Sequence, residues 1–349
     1  MNLQGSLHAC LLSVSFQVRS LLLIAILLPS LAMAGLKVSH ADIQALIDKG
    51  YFMTAYQQCV DKGYTDDKTK ILDFFHQQVD TLEKGIPEGA KVTKISGAGR
   101  FPSEKIEMPD GITVFRKDLA LLEGMEMGSS LPFVDELNFK LSDYLKLNLV
   151  PPTKARGSRV YQLFVSEART GADLEYPDGV LATPRPEFAK LAVWDVFTGQ
   201  IDRSTPLNWM VSESGEIIAI DNSLSLRQTS AFYSKGERTV GVKDLTPNQL
   251  EYFFTKLETL EVMKNEDALN GAFYEWTEGM GLSSEDYATF RHTLIANAKD
   301  LVKAVDDHKI TTSNIEEKGN MLNILNRHKL SSRYRRTPRQ SSKPNPACN

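Results

Sequence analysis

Asp202, Asn208 and Asp221 are hard-oxygen side chains gathered in one short stretch, "IDRSTPLNWMVSESGEIIAIDNSLSL", residues 201–226. The apolar run "EIIAI" ends abruptly on Asp221-Asn222. A buried aspartate is costly unless something binds it. "NWMV" and "EIIAI" read as two antiparallel strands turned at Ser214-Gly215, and such a hairpin brings its open ends, Asn208 and Asp221, together. Oxygen ligands at that end suit Mg²⁺, and Asp202 in the preceding loop is near enough to orient an acceptor hydroxyl. The same residue types also form turns and caps with no metal at all.

Phosphoryl transfer needs few protein parts: a cover for the phosphates, a cation on them, metal ligands and a positioned acceptor. Gly97 and Gly99, between two β runs, would let backbone N–H groups approach phosphates, although a lone G-x-G is equally a plain turn. The cation falls on the strand "ITVFRK", as Arg116 or Lys117. Adjacent strand residues face opposite sides, so only one of them can point into a cleft. An acidic partner from the following helix is Asp135 or Glu136, and helical spacing does not choose between them. The six histidines, at positions 8, 40, 76, 292, 308 and 328, all lie outside this segment. That argues against a Ser-His-Asp hydrolase or a His-rich zinc site built from it.

The elements that must position these residues follow from periodicity. Residues from Ser39, a candidate N-cap, to about Lys84 read as helical, with Gly85 as a stop. "KVTKISGAGRF" and "EKIEMPDGITVFRK" alternate as strands, with Asp110-Gly111 as a hairpin signal. "PFVDELNFKLSDYLKLNL" is a helix that Pro151 and Pro152 terminate. "SRVYQLFVSE" is a strand, residues 169–187 a loop rich in Gly, Pro and Asp, and "KLAVWDVFTGQ" a helix. Thr246-Pro247 and Ser283 or Ser284 open the helices of a mainly helical C-terminal part. A small β-rich lobe, a hinge-like strand and a larger helical lobe with one functional hairpin make up the expected α+β architecture.

These residues also carry a resemblance. "VWDVFTGQIDRSTPLNWMV" followed by "GEIIAIDNSLSL" resembles the catalytic and metal loops of the atypical kinases, the phosphatidylinositol 3-/4-kinase-like and secretory-pathway Golgi casein kinase-like enzymes. Those loops run D-R-x-x-x-N, then a hairpin, then I-D-(H/N)-G. "FKLSDYLKLNLVPPT" resembles their helix and turn before the hinge, "VYQLFVSEA" their hinge, and "DGITVFRK" their D-G-x-x-x-V-F-K strand. The motifs span residues 92 to 226 in family order. The resemblance implies a two-lobed protein-kinase-like fold with ATP and Mg²⁺ (or Mn²⁺) as cofactors. It makes Asp202 catalytic and Asn208 and Asp221 metal ligands. It places Arg116 where the family has its nucleotide-binding Lys, with Lys117 beside it, and Asp135 at the helix acid, with Glu136 beside it. Glu167, closing the hinge strand, joins the nucleotide-binding set. The departures are a loop from Asp202 to Asn208 one residue longer than usual, Ser204 in place of a His, and Ser223 in place of a Gly. The acceptor class stays open among a protein, a glycan and an inositol lipid. Transfer of the nucleotidyl group, or a pseudokinase-type binding module with little transfer, are the alternatives.

Boundaries complete the reading. Arg19 precedes "SLLLIAILLPSL" and then "AMAG", which predicts a secretory signal peptide over 1–34, with export to a secreted, periplasmic or secretory-lumen location and no transmembrane span in the mature form. Residues 35–88 are expected as a helical extension, 89–165 as the small lobe and hinge, and 166–326 as the large lobe. The acid-free stretch 327–349 is expected as a disordered basic tail. A formal net charge of -4 gives no reason to expect a specific nucleic-acid partner. Cys59 and Cys348, the cysteines beyond the signal, permit one bridge and no framework.

Overall fold

The computed structural model describes residues 36–95, 101–120, 131–171, 173, 186–203, 207–212, 216–226, 242, 245–254 and 257–311. The expected signal peptide, Gly97 and Gly99, Ser204, the Ser214-Gly215 turn and the basic tail lie outside these residues. The described chain is mixed α+β.

Three helices come first: α1 (Ala41–Ile47), α2 (Phe52–Lys62) and α3 (Thr65–Lys84). In α3 the residues Ile71, Phe75, Val79 and Leu82 recur at helical spacing and are all buried. Ser39 does not cap α1. His40 stands at the N-cap position, and its side chain makes no capping bond. Instead the amides of Ser39 and His40 donate to the fully buried Asp67 carboxylate of α3, at 2.7 and 2.9 Å. A carboxylate from a neighbouring helix thus does the work that a local cap would do. These helices are not peripheral: Ile43, Tyr56 and Phe75 belong to the same buried cluster as Leu163, Trp194 and Leu301. Cys59 is an unpaired thiol inside that cluster, and burial pushes its pKa up to about 12.

The first sheet is antiparallel with strand order β1-β2-β3-β5-β4. Its strands are β1 (Lys91–Lys94), β2 (Ser103–Glu107), β3 (Thr113–Asp118), β4 (Thr153–Arg156) and β5 (Arg159–Leu163). The expected hairpin turn at Asp110-Gly111 joins β2 to β3, with Gly111 at φ 91°. Strand β4 is an element that periodicity did not signal. It follows the two prolines directly and returns through Gly157, at φ 54°, to pair with β5. Between β3 and β4 lies α4 (Leu131–Tyr144), which packs on β4 and β5.

The second sheet, in the order β6-β7-β8, carries the hairpin: β6 (Ala168–Thr170), β7 (Trp209–Ser212) and β8 (Ile217–Ala219). Arg169 and Thr170, expected in a loop, therefore form a strand edge against β7. The helices are α5 (Pro186–Thr198), α6 (Pro247–Phe253), α7 (Leu257–Lys264), α8 (Glu266–Thr277) and α9 (Ser284–Asp307). Thr246 and Gln249 close a reciprocal capping box with Pro247 at the first helical position, and Ser283 caps α9. Helix α5 is the spine of this half, packed by α6 and α9. Among the described residues no helix is long and apolar enough to cross a membrane.

Candidate functional site

The site lies where β3, α4 and the open end of the β7-β8 hairpin meet. The ladder fixes its cation. On β3, Arg116 pairs with Glu104 of β2, donating from Nε at 3.0 Å, on the face away from the hairpin. Lys117, one residue on, takes the opposite face. It is 9% exposed, and its ammonium donates to Asp221 Oδ1 at 2.7 Å. Arg116 is therefore not brought to the site, and the pleat of β3 is the reason.

Helix α4 makes the corresponding choice. Asp135 Oδ1 accepts the backbone N–H of Asn222 at 2.8 Å. Glu136 turns toward β4, where it holds the Lys154 ammonium and the Ala155 amide, each at 2.8 Å. It is a buried structural carboxylate against the five-stranded sheet. Glu167 is also elsewhere: its carboxylate accepts the amide of Thr54 on α2 at 3.1 Å, and the Thr54 hydroxyl as well.

The hairpin delivers the rest. Ile220 N donates to Asn208 O at 3.1 Å, closing the open end as the strand pairing requires. The Asn208 amide donates to Asp202 twice, to its carbonyl at 2.6 Å and its carboxylate at 3.0 Å. Asp221 adopts a left-handed backbone, φ 51°, which Asp tolerates better than most residues. Ser223 Oγ donates to the same Asp221 oxygen as Lys117, at 3.1 Å. Asp202, Asn208, Asp221, Lys117 and Asp135, spread over a hundred positions of sequence, thus form one connected cluster.

Beneath it lies a support that motif reasoning missed. Arg203 is 2% exposed. Its Nε donates to the Asp195 carboxylate at 3.1 Å, Nη1 to Ile220 O at 2.7 Å and to Asn208 O, and Nη2 to Asn222 Oδ1 at 2.6 Å. Gln200 adds a second tie, donating to Asp221 O at 3.1 Å while its own oxygen accepts the amides of Ile201 and Asp202. Asp195 had one available signal, an acid inside the otherwise apolar "LAVWDVF". The arginine beside Asp202 supplies its counter-charge.

Electrostatics divide the carboxylates. Burial alone would push Asp221 up, but Lys117 outweighs it and holds the carboxyl below its ordinary value. Burial also pulls the Lys117 ammonium down, and Asp221 and Asp135 more than restore it. Asp135 is pushed up to about 7 by burial, opposed by Lys117 and reinforced by the charge of Asp221. A carboxyl raised in the folded state binds more protons there than in the unfolded chain between about pH 4 and 7. Its contribution is thus fully present below pH 4 and is lost as pH rises toward 7. Asp135→Asn keeps the acceptor for Asn222 and removes the titration. The variant should therefore lose a wild-type slope approaching tenfold in unfolding equilibrium constant per pH unit across that window. Urea denaturation from pH 4 to 8 measures it, and parallel wild-type and variant curves would refute the assignment.

The donor set fits a hard cation. With its amide nitrogen on Asp202, Asn208 presents its oxygen as the ligand atom, and Asp221 has a carboxylate oxygen beyond the one that Lys117 holds. Among the described residues no group of three His, Cys, Asp or Glu is placed to hold a metal. A site with one or two protein oxygens suits Mg²⁺, which completes its shell with water and phosphate oxygens. Comparison with protein-family models finds no match, and comparison with curated proteins finds none either.

Proposed function

We propose that the protein is an ATP- and Mg²⁺-dependent phosphotransferase of two-lobed, kinase-like architecture, acting on a hydroxyl acceptor. The observation that carries this reading is that Lys117 meets Asp221, and Asp135 the next amide, at the end of the hairpin strand that pairs with Asn208, itself bonded to Asp202. A buried cation from a strand, an acid from a helix and oxygen ligands at a hairpin end are the parts that phosphoryl transfer uses. Asn208 and Asp221 would hold Mg²⁺, which when bound neutralises charge on the phosphates. Lys117 balances the same charge from the β-sheet side. Asp202 accepts the hydrogen of the acceptor hydroxyl and aims its oxygen at the γ-phosphorus. A new P–O bond forms to that oxygen, the bond to the β-phosphate oxygen breaks, and the hydroxyl proton passes to Asp202 and then to solvent.

Ligand binding to the folded state raises stability by about 2.7 kcal/mol at a hundred times Kd. For a domain of this size that corresponds to roughly 5–10 °C in melting temperature. Mg²⁺ and ATP together should produce such a shift, and Asp221→Asn should abolish the Mg²⁺-dependent part. A well-folded wild type with no response to Mg²⁺ and ATP would end the reading.

A second reading is a kinase-like module that binds nucleotide without transferring phosphate. One contact favours it: Lys117 already neutralises Asp221 at 2.7 Å, so a metal ion must compete with an ammonium for that carboxylate. The missing glycine after Asn222, where Ser223 now ties Asp221 down, favours it too. Phosphate transfer is what separates the two.

A further inference from the structure

Gly171 stands just past the end of β6, in the part of the sequence expected to be a loop. Its backbone gives no reason for a glycine, since its φ lies outside the left-handed range. Its surroundings do. A β-carbon at this position would sit 2.3 Å from Cζ2 of Trp209 and 2.6 Å from Cε2 and Cη2. Contacts that short do not occur, and the atoms belong to a rigid ring rather than to the end of a flexible chain.

Neither partner can retreat cheaply. The Trp209 indole is 2% exposed, and Phe188 packs against it edge-to-face at 5.2 Å. On the other side, β6 is fixed at both ends. Gly171 N donates to Trp209 O at 3.2 Å, and Glu167, just before the strand, is anchored to Thr54 of α2. Trp209 in turn is the residue after Asn208 and the partner of Ala219 across the hairpin. A displacement of the indole therefore reaches Asn208 within one peptide unit, and the approach to Asp221 within two.

We propose that Gly171 is a positioning residue for Asn208: the absent side chain makes the seat in which Trp209 lies, and that seat sets where the Asn208 amide falls relative to Asp202 and Asp221. The proposal rests on the reading of Asn208 as a metal ligand. It extends the site to a position that neither charge nor polarity marks.

The test uses the full chain labelled with ¹⁵N and follows the side-chain amide resonances of Asn208, identified by their loss in Asn208→Asp. Gly171→Ala should shift these resonances. It should also weaken the Mg²⁺-dependent gain in ATP affinity by about tenfold to a hundredfold, the scale on which losing a group that orients a metal ligand acts. Trp209→Phe removes Cζ2 and Cη2, the outer ring atoms that a β-carbon would meet, so Gly171→Ala in that background should leave both readouts close to those of Trp209→Phe alone. A merely structural role would lower stability and leave the Asn208 resonances and the Mg²⁺-dependent gain of the folded protein unmoved. A folded Gly171→Ala protein with unmoved Asn208 resonances overturns the proposal, as does a double variant as impaired as Gly171→Ala. Should Gly171→Ala not fold, the Asn208 resonances of Trp209→Phe decide: a partly emptied seat should shift them from their wild-type positions, and unmoved resonances overturn the proposal. Absence of any Mg²⁺ and ATP response in the wild type would count against the function reading alone, because the resonances of Asn208 still decide the role of Gly171.

Discussion

Arg203→Met is expected to lower the melting temperature by about 10 °C, the largest loss from any single change near the site. The guanidinium pairs with the buried Asp195 carboxylate, and it also binds two carbonyl oxygens and the Asn222 side chain. Removing one partner of a buried ion pair leaves an uncompensated charge and costs about 3–5 kcal/mol, and about 2–4 °C accompanies each kcal/mol in a domain of this size. Asp195 already lies raised, to about 6, because burial outweighs the opposing charge of Arg203. Without the Arg203 charge to oppose burial, the carboxyl goes higher still. Adding Asp195→Leu to Arg203→Met should therefore recover part of the loss, since the stranded charge is gone. Thermal denaturation followed by circular dichroism reads both variants. A loss under about 2 °C for the single change, or a double variant less stable than the single, would show that the pair does not hold the hairpin.

The second large effect is on chemistry. Asp202→Asn should reduce phosphate transfer by about 10²–10⁴-fold, the usual contribution of a positioned base, while ATP affinity stays within a few-fold of wild type. An amide oxygen can still accept from Asn208 as the carboxylate does at 3.0 Å, so the loop should stay in place. What the amide cannot do is accept the hydroxyl proton. Transfer of labelled γ-phosphate to mixed protein, glycan and lipid acceptors, beside a direct ATP-binding measurement, separates the outcomes. Undiminished transfer by Asp202→Asn removes the base from the scheme. ATP binding with no transfer by the wild type leaves the binding-module reading standing.

The hairpin end was legible because its chemistry is local. An apolar run that ends in Asp221-Asn222, with Asn208 opposite by strand pairing, needs no information from elsewhere in the chain. The choice between Arg116 and Lys117 was not legible. Strand parity leaves two solutions, and the one realised depends on Glu104 lying across from Arg116 on β2. The same holds for Asp135 and Glu136, both buried, one against the hairpin and the other against β4. Strand β4 alternates, with Thr153 and Ala155 buried between half-buried Lys154 and Arg156, but four residues are too few for that pattern to stand out; β5 offers it an edge. Ser39 failed as a cap because Asp67, 28 positions away, binds its amide. Gly171 was hidden most completely, since a glycine in a Gly- and Pro-rich stretch reads as a turn and its tryptophan is nearly forty residues distant. For Ser39, Asp135 and Gly171 the deciding partner lies tens of positions away along the chain.

That distance has a consequence for how the polypeptide reaches its native state. Helix α2 is tied to Glu167 across 113 positions and to Asn148 across 91, while α3 meets Tyr161 across 78. At roughly 5–20 residues per second of synthesis, the first three helices wait about 5–20 seconds for these partners. Until then the apolar faces that carry Ile43, Phe75 and Val79 are covered only where the three helices pack on one another. Short isolated helices are marginal in water, so the two shorter helices of this segment gain their full stability only when those partners arrive. It is completed late by strands that the ribosome makes afterwards, and its exposed interval is when a nascent chain most needs a holding chaperone.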